Sequence, residues 1–148
     1  MASITSSNAA ISISIGSLYS APQGLSQFAA DNIFGVDDIA SAEVAMGVDG
    51  HLTGGKVFVP IPFHIHFMAD SVSIPIFEFW ESSEQQIGDI IKAQATCTLT
   101  GVGRKYSMVN GILQTKSPMP SAARTLQPRM WTIMWESVTS IPVTATQQ

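Results

Sequence analysis

His64 and His66 stand two residues apart in a stretch that alternates like a β-strand. On a strand they share one face, roughly 6.5–7 Å apart. Such a pair can hold zinc or nickel when a third ligand arrives from elsewhere, and His51 is a possible supplier. Otherwise they are two imidazoles on a partly exposed strand face, the plainer reading. Asp31, Asp37, Asp38 and Asp49 could gather around calcium, but their spacing lacks the alternating acids and closing Glu of the twelve-residue calcium loop. A solvated turn is the better reading of Asp37 and Asp38. Glu78, Glu81 and Glu84 could serve as paired acid–base carboxylates. At a spacing of three they form instead one exposed ridge on a helix.

Cys97 is the single cysteine, so no internal disulfide forms, which fits folding in a reducing cytosol. It falls on the apolar side of its alternation, with no helix start or base beside it to activate a thiolate. Gly101-Val102-Gly103-Arg104-Lys105 could cradle a phosphate only at a strand-to-helix junction, and its surroundings read as a β-turn. Trp131, Trp135, Phe79 and Trp80 could stack sugars or bases, but their periodicity places them in a core. No catalytic constellation emerges, and no cofactor or metal is implied.

The elements that would position these residues follow from periodicity. Ile11, Ile13 and Ile15 alternate with hydroxyls in a half-buried strand. Leu25 to Val36 reads as a second extended segment. Asp49-Gly50 is a strong turn signal, and Thr53-Gly54-Gly55-Lys56 adds a flexible point. Residues 44–56 therefore read as a long hairpin reaching from the body. Val57 to Met68 is the strongest strand pattern, with Val57, Val59, Ile61, Phe63, Ile65 and Phe67 on one face. Pro60 and Pro62 cannot donate to a ladder, which predicts an edge or bulged strand. A helix is predicted over 72–87, capped by Asp70 or Ser71 and packed through Ile76, Phe79 and Trp80. Gln94, Thr96, Thr98 and Thr100 form the wet face of a strand whose other face is Ala93, Ala95, Cys97 and Leu99. Tyr106 to Thr115 returns beside it, interrupted at Asn110-Gly111. Arg129 to Val138 closes the set with Trp131, Ile133 and Trp135 inward. Residues 1–9 read as flexible and 139–148 as a polar tail. The expected fold is mainly β: one domain, 1–148, with about six or seven antiparallel strands in a barrel or sandwich and one flanking α-helix.

Charge is divided along the chain. Residues 1–91 hold every acid but Glu136 and only one base, Lys56, while Lys92, Arg104, Lys105, Lys116, Arg124 and Arg129 follow. The halves sum to about −9 and about +5, against −4 for the whole. If the halves map to different surfaces, copies attract head to tail and close a ring or extend a filament. Charged residues are 12% of the chain and hydrophobic ones 45%, so much of the surface is expected to be covered by partners. No apolar run reaches the ~18–20 residues of a membrane span, and the first residues do not read as a signal peptide. A pI near 5.1 argues against tight nucleic-acid binding.

Met46-Gly47-Val48-Asp49-Gly50-His51 resembles a turn of tail tube proteins from contractile-tailed bacteriophages. Phe67-Met68-Ala69-Asp70-Ser71-Val72-Ser73-Ile74, Lys105 to Leu113, and Leu126-Gln127-Pro128-Arg129 leading into Trp131 to Glu136 resemble the same family, in order, over roughly residues 24–137. The Ser-rich start and the polar tail do not match it, and the Pro60/Pro62 pair departs from its plain strand. The resemblance implies a non-enzymatic subunit of six-membered rings stacked into a hollow tube. It also implies a sheath outside, a tape-measure protein and transient DNA inside, and terminator and baseplate proteins at the ends, in a virion tail assembled in the host cytoplasm. Related tubes serve non-contractile tails and type VI secretion. The hairpin would reach a neighbouring ring, with contacts expected at Val48, Asp49, Gly50, His51, Lys56, Arg104, Lys105, Arg124 and Arg129. The lumen would take the Gln94/Thr96/Thr98/Thr100 face or the Thr132/Glu136 face, because a polar, weakly charged wall lets DNA slide. The competing readings are a secretion-system tube subunit, a carbohydrate-binding β-module with exposed tryptophans, and a metal enzyme built on His64 and His66.

Overall fold

The computed structural model describes residues 9–29, 33–99 and 101–142. In chain order these form β1 (Ala9–Ile15), β2 (Tyr19–Gly24), β3 (Phe34–Val36), β4 (Ala42–Met46), β5 (Leu52–Lys56), β6 (Ile61–Phe67), α1 (Ile74–Ile87), β7 (Ala93–Leu99), β8 (Arg104–Thr115), β9 (Arg129–Trp135) and β10 (Ser137–Pro142). The mainly β fold with one flanking helix is as expected. The strands are more numerous, because β2, β3 and β10 carry almost no apolar alternation and become strands only by pairing. Residues 139–142, expected in a polar tail, belong to β10, which pairs with β8. The expected flexible start overlaps the described residues only at Ala9, where β1 begins, and 143–148 lie outside them.

The main sheet runs β2-β1-β7-β8-β9-β6-β3, with β10 also on β8; β4 and β5 form a separate two-stranded sheet. All pairings are antiparallel. The long β8 joins the two halves of the main sheet. Its first part lies between β7 and β10, and its last residues pair with β9. The change of partner falls at Asn110-Gly111, so this pair turns the strand rather than interrupting it. Asn110 has φ +51, and a Cβ on Gly111 would stand 2.4 Å from Trp135 Cζ3. Only glycine fits against that ring.

The extended segment expected over 25–36 is a strand only at its end. Residues 25–29 stitch the two ends of the sheet together. Leu25 N–H donates to Ile11 O at 2.9 Å, Met68 N–H to Gln27 O at 3.0 Å, and Ala29 N–H to His66 O at 3.1 Å. Residues 30–32 lie outside the described set. The regular strand β6 begins only at Ile61, after Pro60, and it is not an edge: β9 flanks one side and β3 the other. His66 N–H donates toward the β3 side, to Ile33 O. By alternation the nitrogen of Pro62 faces that side too, just past the end of β3, where Asp37 N–H still donates to Pro62 O at 3.4 Å and Pro62 has no N–H to return.

The core joins Ile11, Ile13, Ile15, Phe63, Ile65, Phe67, Trp131, Ile133 and Trp135 to Ile74, Phe77 and Trp80 of α1. Phe77 stacks on Trp131 with centroids 5.2 Å apart and meets Phe67 at 5.3 Å. The helix starts two residues later than expected and is rotated. Its N-cap is Ser73, not Asp70 or Ser71. The hydroxyls do other work: Ser71 Oγ donates to Ser26 O at 2.7 Å, and Ser73 Oγ accepts from Ser26 N at 2.9 Å. The buried face is Ile74, Phe77, Trp80 and Ser83, while Phe79 is 47% exposed, edge-on to Tyr19. Two apolar stripes overlap in Ile74-Pro75-Ile76-Phe77-Glu78-Phe79-Trp80, and the Trp131 ring selects the one carrying Phe77. Gly88, at φ +70, ends the helix.

Candidate assembly surfaces

The β4–β5 hairpin is the most exposed element described. Its register pairs Ala42 with Lys56, Val44 with Gly54, and Met46 with Leu52. Alternation then sets Ala42, Val44, Met46, Leu52, Gly54 and Lys56 on one face and Glu43, Ala45, Thr53 and Gly55 on the other. The first face is apolar and bare: Val44 is 67% exposed, Met46 65% and Leu52 62%. Thr53-Gly54-Gly55-Lys56, expected as a flexible point, is regular strand. The turn is built by Asp49, whose Oδ1 accepts from His51 N at 3.2 Å, with Gly50 at φ +85. Val48 projects fully at the tip, and His51 and Lys56 are exposed. Val57 N–H to Ser41 O, 3.2 Å, pins the hairpin base.

Folding joins the two halves of the charge at two points. Arg129 is only 4% exposed: its guanidinium donates to Glu78 at 3.0 Å and to Ser117 O at 2.7 Å, and lies over Trp131. It is an internal strut, not a contact residue. Lys116 pairs with Glu81 at 3.4 Å, and Glu84 accepts from Ile91 N at 2.8 Å. The three helix acids thus tie α1 to its surroundings instead of forming a solvated ridge, and the two halves of the charge meet within one chain. Arg104 and Arg124 are exposed and Lys105 partly so.

The two candidate lumen faces behave differently. On β7, Gln94 is exposed and Thr96 and Thr98 partly so; Thr100 lies outside the described residues. Their cross-strand partners are Ser14, Ser12 and Ala10 on β1, and Ser107 and Lys105 on β8. Beyond Ser107 stands Thr139 of β10. Ser12 and Thr96 share a hydrogen bond at 2.9 Å. Lys105 is the only ionic side chain among these partners, so the face is a broad, nearly neutral band of hydroxyls and amides. The Ser12, Ser14 and Ser107 contribution was missed; alternation with Ile11, Ile13 and Ile15 could have revealed the first two. On β9, by contrast, Thr132 is 4% exposed and bonded to His64, which removes it as a surface group. Glu136 is exposed and accepts from Asn110 Nδ2 at 3.1 Å.

His64 is engaged at both nitrogens, Nδ1 with Thr132 Oγ1 at 2.9 Å and Nε2 with Asp37 Oδ2 at 3.1 Å. This contact ties the end of β3 to β6. Burial, and then the neighbouring His64, hold the His66 imidazole below its ordinary range. His51 sits in the turn of the hairpin with Asp49. Among the described residues, no group of three His, Cys, Asp or Glu side chains could hold a metal, so the zinc or nickel reading gains no third ligand. Cys97 is buried, which pushes its thiol up to about 11. All three tryptophans are buried, contrary to a sugar-stacking module. Among the described residues, no helix is long and apolar enough to cross a membrane.

A family profile described as tail fiber protein gp32 matches residues 2–139. The chain belongs to the tail fiber protein gp32 family. No curated protein matches the sequence. The fold is similar to that of a chain in the sheath–tube complex of an extracellular contractile injection system (PVC) in its extended state. That match has a TM-score of 0.64 at 16% identity, over 90% of this chain and 88% of the other. A chain in the anti-feeding prophage baseplate gives a TM-score of 0.58 at 7% identity, over 92% and 93%. One in the PVC sheath/tube terminator gives 0.56 at 15%, over 88% and 92%. Family membership and the shared fold agree with the tail-tube resemblance read from the sequence.

Proposed function

We propose that this protein is a structural, non-enzymatic subunit of a tail tube. Copies form rings, six to a ring, that stack into a hollow conduit within a contractile sheath. The observation that carries the reading is the β4–β5 hairpin. An isolated two-stranded hairpin is marginal in water, and this one presents an apolar face to solvent. A neighbouring copy that covers Val44, Met46 and Leu52 supplies what the subunit lacks. The similarity to chains of sheath–tube, baseplate and terminator complexes supports the same reading.

In this reading the hairpin, with Val48, Asp49, Gly50, His51 and Lys56, reaches the adjacent ring, and Arg104, Lys105 and Arg124 add subunit contacts. The Gln94/Thr96/Thr98 face, widened by Ser12, Ser14 and Ser107, lines the lumen. A wall of hydroxyls holds few phosphates and releases few counterions, so DNA passes without adhering. A tape-measure protein fills the lumen during assembly, and terminator and baseplate proteins close the ends of a virion tail built in the host cytoplasm. Negative-stain microscopy of the purified protein tests this directly. Rings or tubes are expected, and a uniformly monomeric globule at high concentration rejects the reading.

A further inference from the structure

The face of β6 and β9 turned away from the core carries His66, with Met130 as its register partner; Met68 follows just past the end of β6, two residues on, where its N–H donates to Gln27 O. Cross-strand partners hold their Cβ atoms about 4.5–5.5 Å apart, and Met68 stands about 6.5–7 Å along the strand direction. Met130 is half-buried and Met68 42% exposed, both on long, adaptable side chains. Among the described residues His66 Nδ1 is buried without a hydrogen-bond partner, while its backbone N–H is satisfied by Ile33 O. The indole N–H groups of Trp131 and Trp135 are also unpartnered, but an indole nitrogen only donates. A neutral imidazole nitrogen can accept a metal.

We propose that His66 Nδ1, Met130 Sδ and Met68 Sδ form a site for a soft monovalent ion, copper(I) or silver(I). Thioethers select such ions and hold hard divalent ones poorly. His64 takes no part, because Thr132 and Asp37 occupy both of its nitrogens; instead it fixes the strand beside the site. Coordination through Nδ1 leaves the ring proton on Nε2, so binding releases no proton and moves no electron. The inference is independent of the tube reading, since it needs only one folded chain.

The test uses silver(I) as a redox-inert probe on the Cys97→Ala protein, which removes the competing thiol. Native mass spectrometry and the NMR shifts of methionine methyls and histidine rings report binding. One equivalent is expected, moving the Met130, Met68 and His66 signals. Met130→Leu, which conserves volume, and His66→Asn should each weaken binding roughly tenfold or more, and His51→Ala should leave it unchanged. Thermal melts identify any variant that fails to fold, and the methyl shifts of the parent then decide. No silver uptake by the parent, uptake that ignores both variants, or shifts confined to other residues overturns the proposal.

Discussion

The two ends of β6 are held by opposite means. At its C-terminal end Phe67 lies in a closed aromatic cluster with Phe77 and Trp131, sealed by α1. Before its N-terminal end stands the β4–β5 hairpin, whose every residue is exposed and whose apolar face stands largely open to solvent. One region is finished within the chain and the other is not. The contrast teaches that a protein of low charge can close one core tightly and still hold a specific apolar segment in solvent, the segment that the proposed tube reading assigns to a neighbour.

Mutations should separate these regions cleanly. Trp131→Ala removes a fully buried ring that contacts Phe67, Phe77 and Arg129, and should destabilise by about 3–5 kcal/mol, read from denaturant midpoints. A loss under about 1 kcal/mol would mean that the cluster is not the anchor of the fold. Gly111→Ala drives a methyl into the Trp135 ring and should cost about 1–3 kcal/mol; unchanged stability would mean that β8 relaxes there freely. Glu78→Gln weakens the tie from helix to Arg129 and should cost about 1 kcal/mol, because Glu78 is half-exposed and Ser117 O still receives the guanidinium. Stability should also fall as pH drops below 6.5, the ordinary imidazole value. The folded state holds His66 below that value, so the unfolded chain binds the proton first and folding weakens with acidification. The loss levels off below the folded value, and His66→Gln should flatten that part of the profile. The smallest effect on stability belongs to Val44→Ser with Met46→Ser, within about 0.5 kcal/mol. The same pair should abolish assembly beyond single rings, seen by microscopy and sedimentation. If it destabilises the monomer as Trp131→Ala does, the two regions are not distinct.

The helix shows why legibility stopped where it did. Apolar residues at three- and four-residue spacings signalled a helix, but two stripes fitted, and only the stacking of Phe77 on Trp131 selected one. Strand β6 was legible because Ile61, Phe63, Ile65 and Phe67 alternate and bind its identity to its inward face, yet its neighbours were not, since β3 has only three residues. The charges misled for the same reason. Acids and bases far apart in sequence, such as Glu78 on α1 and Arg129 on β9, meet where the helix packs on the sheet. The hairpin read well because its signal is local: Asp49-Gly50 makes the turn from its own backbone and side chain.

By itself the chain determined the β alternation, the single helix, the hairpin and the tail-protein resemblance, all consequences of short-range patterning. Tertiary structure alone decided which helix face is buried, where β8 changes partner, that Arg129 and Thr132 lie inside, and that Ser12, Thr96 and Ser107 make one surface. Those outcomes depend on contacts between residues distant in sequence, and periodicity carries no information about which distant partner a residue meets.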